Sequence, residues 1–143
     1  MANTVMTSFK SELLQGIHDF ESGVGGDDFK LALYTSSYTG NVAGTTIYTT
    51  GNEVGDSGSY SAGGGTLANQ AVSVDGTTAI VDFDDLSFTS ATITARYALI
   101  YNDTEGDKAV CVLDFGTDQT STSGTFTIQF PSAGASTAII RVA

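Results

Sequence analysis

Two apolar runs parted by five polar residues constrain this chain most: "SATITARYALIYN" (Ser90–Asn102), then "DTEGD", then "KAVCVLDF" (Lys108–Phe115). Both runs alternate as strands do, and the polar insert is a turn, so the region reads as an antiparallel hairpin. Pairing Asn102 with Lys108 puts Tyr97 opposite Leu113, Leu99 opposite Cys111 and Ile100 opposite Val110. The same register sets Arg96 opposite Asp114, and a slip of one residue would send every apolar set to the wrong side. One face then carries Ile93, Ala95, Tyr97, Leu99, Cys111, Leu113 and Phe115. The other carries Ala98, Ile100, Val110 and Val112 beside the Arg96–Asp114 pair. A sheet with one wet face alternates more cleanly than this. The second face therefore needs a cover, and two are open: the chain's own helix or another subunit.

The remaining strands surround this hairpin. In "DFKLALYTSS", Phe29, Leu31 and Leu33 point one way and Lys30, Ala32 and Tyr34 the other. "ANQAVSVDGTTAIVDF" places Asp75-Gly76 as a two-residue turn, pairing Val74 with Thr77 and Val72 with Ala79. Val72, Val74, Ala79, Val81 and Phe83 then share a face. "GTDQTSTSG" reads as a further turn, "TFTIQF" as a strand ended by Pro131, and "STAIIRVA" as the last strand. Thr-rich apolar runs between Gly and Ser clusters favour pleated structure. The fold class expected is all-β, an antiparallel β-sandwich or jelly-roll-like barrel with one N-terminal α-helix. Its 143 residues suit a single domain over 1–143.

Only one segment has helical period. Met6, Phe9, Leu13, Leu14, Ile17 and Phe20 form a stripe that predicts a helix over about 7–21, with Thr7 or Ser8 as its cap. His18 falls on the opposite, solvated side. The Gly/Ser/Thr-rich stretch from Ser36 to Gly65 reads as a long loop, with at most a short strand near Thr45 to Thr49. Loops of this length are commonly functional or mobile.

Chemistry is sparse. His18 is the one histidine and Cys111 the one cysteine, and neither sits in a nucleophile, P-loop, dinucleotide or HExxH motif. The cysteine count allows no intrachain disulfide, and the apolar setting of Cys111 suits an inert buried thiol. The carboxylate clusters in "DTEGDK" and "DFDDLS" lack the EF-hand pattern. No enzyme, cofactor or metal site is expected. With 16 acidic against five scattered basic residues the net charge is −11, which argues against nucleic-acid binding. No run approaches a membrane span and no secretory signal is read, so folding in a cytoplasm is expected.

Blocks spread over nearly the whole chain resemble small structural proteins of tailed bacteriophages. They are "SFKSELLQGIHDF", "DFKLALYTSS", "NEVGDSGSYSAGGGTLANQAV", "SFTSATITARYALIYND" and "AVCVLDFGTDQTSTSGTFTIQFPSAGASTAIIRVA". The resemblance implies a particle component and brings no catalytic or ligand residues with it. A small acidic β protein with a terminal helix fits a capsid decoration, or cement, protein at the capsid surface of the virion. Such proteins commonly sit as trimers and reinforce the lattice of the major capsid protein, so that protein and further copies of this chain are the partners expected. The contact residues would come from the helix (Phe9, Leu13, Ile17), the long loop (Tyr48, Tyr60) and the covered sheet face (Arg96, Asp114, Ile100, Val110, Val112). The alternative is a tail or fibre module whose exposed Tyr38, Tyr48 and Tyr60 hold a host-surface glycan.

Overall fold

The chain runs β1 (Ala2–Val5), α1 (Thr7–Leu14), β2 (Phe29–Tyr34), β3 (Gly65–Thr66), β4 (Ala71–Asp75), β5 (Thr78–Asp82), β6 (Leu86–Asn102), β7 (Lys108–Ile128) and β8 (Ile140–Val142). This order is seen in a computed structural model that describes residues 2–143. A five-stranded sheet has the order β1-β7-β6-β2-β3 and a three-stranded sheet the order β4-β5-β8. Every pairing is antiparallel. The architecture is the expected one: all-β, with a single short N-terminal helix.

The hairpin turn forms as expected, with Asn102 opposite Lys108 and Tyr101 opposite Ala109. Beyond it the register departs from expectation. Val110 is an extra residue on β7, so Ile100 faces Cys111, Ala98 faces Leu113, Leu99 faces Val112 and Tyr97 faces Asp114. The bulge breaks the alternation of β7 between Ala109 and Cys111, but it falls in a run, Ala109–Leu113, that is apolar and buried at every position, so the sequence pattern carries no mark of it. Its consequence is a changed set of faces. Phe29, Leu31, Leu33, Ala98, Ile100, Cys111 and Leu113 now share one side of the sheet, and Ala32, Tyr34, Tyr97, Leu99, Tyr101 and Val112 the other. All of these are buried.

Neither strand stops where the sequence suggests. "GTDQTSTSG" is no turn: β7 passes through it and pairs with β6 as far as Leu86–Ile128. Threonine suits a pleated, solvent-facing edge, and Phe88 opposite Phe126 gives this outer part of the ribbon an apolar anchor. A second strand was also not expected: Ala2–Val5 adds to β7, with Val5 opposite Cys111.

The helix is half as long as its apolar stripe suggests. It closes at Gly16 (φ +71), where the Gly16 N–H donates to the Leu13 carbonyl and the Ile17 N–H to the Glu12 carbonyl. This pair of bonds around a left-handed glycine is the Schellman stop signal. Thr7 and Ser8 lie inside the first turn and the N-cap is Met6, without a side-chain cap. Ile17, His18 and Phe20 therefore belong to an extended segment that folds back over the sheet.

In the second sheet Asp75 pairs with Thr78, Val74 with Ala79 and Val72 with Val81. The turn residues are thus Gly76 and Thr77, with glycine at φ +63 in the first position, as a II′-type hairpin requires. The expected pairing was displaced by two residues along the partner strand. Such a shift preserves side-chain parity, so Val72, Val74, Ala79 and Val81 share a face as expected, while Phe83 lies just beyond the end of β5.

Candidate functional site

Both faces of the large sheet are covered, and by this chain itself. Over the Ile100 side lie Phe20, stacked on Phe29 at 4.3 Å between centroids, and Phe83, 6.1 Å from Phe29. Phe9 of α1 packs edge-on against Phe20 at 6.0 Å. His18 seats here rather than in solvent: Nε2 lies 2.8 Å from Glu12 Oε2, and Nδ1 3.0 Å from the Asn102 side-chain amide. Asn102, fully buried, also donates to Asp27 Oδ2 (2.7 Å), and its Oδ1 accepts the N–H groups of Thr104 and Glu105. One side chain thereby ties the hairpin turn to the segment after the helix. The solvated role expected of His18 assumed a helix that had already ended.

The long loop covers the opposite side. Tyr38 stacks on Tyr34 at 3.9 Å and Tyr48 on Tyr101 at 4.6 Å. Glu53 is the hub of this layer. Its Oε2 accepts the Tyr48 hydroxyl (2.6 Å), and its Oε1 accepts the Tyr60 hydroxyl (2.8 Å) and the Gly63 N–H (2.7 Å). Tyr60 in turn accepts the Leu33 N–H at 2.9 Å, reaching a backbone group of the interior strand β2. Tyr34 donates to the Thr49 carbonyl and Tyr101 to that of Gly63, both at 2.6 Å. The loop can lie this close because Gly64 (φ +78) has no side chain: a Cβ there would sit 1.8 Å from the Leu31 carbonyl oxygen. Burial holds the Tyr34, Tyr38, Tyr48, Tyr60 and Tyr101 hydroxyls above the ordinary tyrosine range, with proximity to Glu53 adding to the shift at all of these except Tyr38. The stretch read as a loop is a pinned layer.

Arg96 and Asp114 do meet, Nε to Oδ1 at 2.8 Å, although the bulged register sets Tyr97 opposite Asp114. Between Asp114 and Gln119 the β7 strand bulges again, through Gly116 at φ +84. Asp114 Oδ1 also accepts the Gly116 N–H at 2.8 Å, so the carboxylate fastens the bulge as well as the arginine. These bonds hold the Asp114 carboxyl below its usual range and the Arg96 guanidinium above its own. Both side chains keep more than a quarter of their surface exposed, so the pair organises a sheet irregularity at the surface.

The other expected contact residues distribute as follows. Phe9, Tyr60, Ile100, Val110 and Val112 are buried in the core, and no surface of theirs remains for a neighbour. Leu13, Ile17 and Tyr48 are half-buried. Tyr38 and Tyr60, expected to be exposed aromatics, are packing anchors. Cys111 is fully buried, which pushes its thiol up to about 12. Among the described residues no cluster of His, Cys, Asp or Glu has a metal-ligand arrangement, and no helix is long and apolar enough to cross a membrane.

What the sequence did not single out is an open apolar face on the small sheet. The register stacks Val72–Val81–Ile140 and Val74–Ala79–Val142 in two rows on one side. Val81 and Ile140 are buried, whereas Val72 (58 %), Val74 (71 %) and Val142 (51 %) are largely exposed. With Leu13 and the His18–Ser22 segment this face forms a groove of about 610 Å³.

No protein-family model, no curated protein and no solved structure matches this chain.

Proposed function

We propose that this protein is a structural component of a tailed-bacteriophage particle. In this reading it is a capsid decoration protein that binds the lattice of the major capsid protein and stabilises the head. The observation that supports it is the pinning of the Ser36–Gly65 region over the large sheet by Tyr34, Tyr38, Tyr48, Tyr60 and Glu53. A segment of that length held by side-chain bonds and ring stacks makes a preorganised body, and preorganisation lowers the entropy lost on docking to a lattice. The resemblance of five ordered blocks to small virion proteins points the same way, and closed symmetric association, with a trimer favoured, suits a component repeated over a shell.

The glycan-binding alternative loses its main support. Tyr38 and Tyr60 are buried, and the hydroxyls of Tyr48 and Tyr60 are bonded to Glu53.

Adding the purified protein to heads that lack it tests the proposal. Saturable binding and a raised temperature of DNA release are expected. Heads that bind none of it, or that bind it with no gain in stability, would refute the decoration role.

A further inference from the structure

The groove on the small sheet has three properties that select its occupant. It is bordered by a free strand edge: among the described residues β4 pairs only with β5, and all five of its residues are exposed. An unpaired edge offers backbone N–H and C=O groups to an incoming extended chain. Its floor is apolar, with Val72 and Val142 open to solvent beside buried Val81, Ile140 and Phe20. Contiguous exposed apolar surface of this kind marks interaction sites on soluble proteins. Its charge has one sign. Asp19 and Glu21 line the groove and are exposed, and among the described residues no Lys or Arg lines it. The nearest cation along β8, Arg141, alternates to the opposite face and donates to the Ala135 carbonyl.

We infer that this groove binds an extended, Lys/Arg-bearing polypeptide segment, which pairs with β4 and seats alternate apolar side chains over Val72 and Val142. A second copy of this chain is the poorer fit, because its own β4 groove brings acidic residues to an acidic rim and its net charge is −11. The inference deepens the proposed function, since it rests on that reading for the partner's identity, a basic segment of a shell protein. The chemistry of the groove itself stands on the observations above.

The test uses the full chain and a short synthetic peptide of alternating valine and lysine, with a valine–glutamate peptide as control. Calorimetry is expected to show saturable binding of the lysine peptide only. Amide chemical shifts should move at 71–75, 140–142 and 19–22. Val72→Ser with Val142→Ser, both at exposed positions that the fold does not need, should weaken binding by about tenfold through lost apolar contact. Asp19→Asn with Glu21→Gln should weaken it and flatten its salt dependence. The inference is overturned by no saturable binding of the lysine peptide, by equal binding of the glutamate peptide, or by affinity that ignores the valine substitutions. Self-association in sedimentation that V72S abolishes would assign the face to a second copy and overturn it equally. Heads that bind the protein while the peptide does not would refute this inference and leave the decoration role standing; the converse result would do the reverse.

Discussion

Glu53→Ala removes the centre of the tyrosine layer, and the structure allows its cost to be estimated. Three bonds are lost at once: those from the Tyr48 hydroxyl, the Tyr60 hydroxyl and the Gly63 N–H. Bonds to a carboxylate contribute about 1.5–3 kcal/mol each, but the bonds of one cluster are not additive. Tyr48 is only partly buried, so water can replace its lost partner. Tyr60 is fully buried and keeps the Leu33 N–H as donor, yet its own proton is left with only a long contact to the Leu33 carbonyl at 3.4 Å. A loss of about 3–5 kcal/mol follows, a large share of the about 5–15 kcal/mol that holds a domain folded. Glu53→Gln keeps the shape and an acceptor oxygen, and should cost about 1 kcal/mol. Equilibrium urea unfolding followed by tyrosine fluorescence measures both. Limited proteolysis should cut Glu53→Ala within 36–65 while leaving the parent intact. Equal midpoints for Glu53→Ala and the parent, or a cleavage pattern that does not change, would show that the loop is held by something other than this hub.

Alkali should unfold the protein cooperatively. Tyr34, Tyr38, Tyr60 and Tyr101 are buried with hydroxyls raised above the usual range. The unfolded chain therefore loses protons first, and stability that is full below about pH 10 falls as pH rises through the folded values. The slope reaches about 1.4 kcal/mol per tyrosine per pH unit, or about 5 for four; phenolate absorbance should appear together with loss of circular dichroism. Smooth titration near pH 10 with the fold intact would contradict the layer's burial. Cys111, with its thiol pushed up to about 12, should resist iodoacetamide at pH 8 in the folded protein and react once urea unfolds it; rapid labelling of the native state would place the thiol outside the core. For Arg96 and Asp114, a double-mutant cycle should give a coupling that salt reduces. The stability from Asp114 should be present above the ordinary carboxylate range and fade as pH falls through its lowered value. Independent effects of Arg96→Ala and Asp114→Ala would show that the two merely lie near each other.

Much of the fold can be read from residues in sequence. The polar "DTEGD" insert defines the Asn102–Lys108 turn, alternation finds β2, β4 and β5, and the scarcity of other cations makes the Arg96–Asp114 pair stand out. What escapes reading has specific causes. The Val110 bulge breaks the alternation of β7 inside a run, Ala109–Leu113, that is apolar throughout, so nothing in the sequence marks it and face assignments made by register alone are mixed. Gly16 stops α1 through a left-handed turn that an apolar stripe running on to Phe20 conceals. That early stop carries His18 into the core against Asn102. In the Ser36–Gly65 region, glycines and serines signal irregular backbone correctly, but order comes from tyrosines far apart in sequence converging on Glu53. Their spacing has no period to detect. The β4 groove escapes for the opposite reason: Val72 and Val74 look like core residues, and only the tertiary arrangement leaves them uncovered.

The most direct test of the decoration role is the copy number of this protein in purified virions, by quantitative mass spectrometry against the major capsid protein. The proposal predicts copies of the same order as the shell subunit, retained on heads separated from tails. A few copies per particle confined to the tail fraction, or none at all, would contradict it.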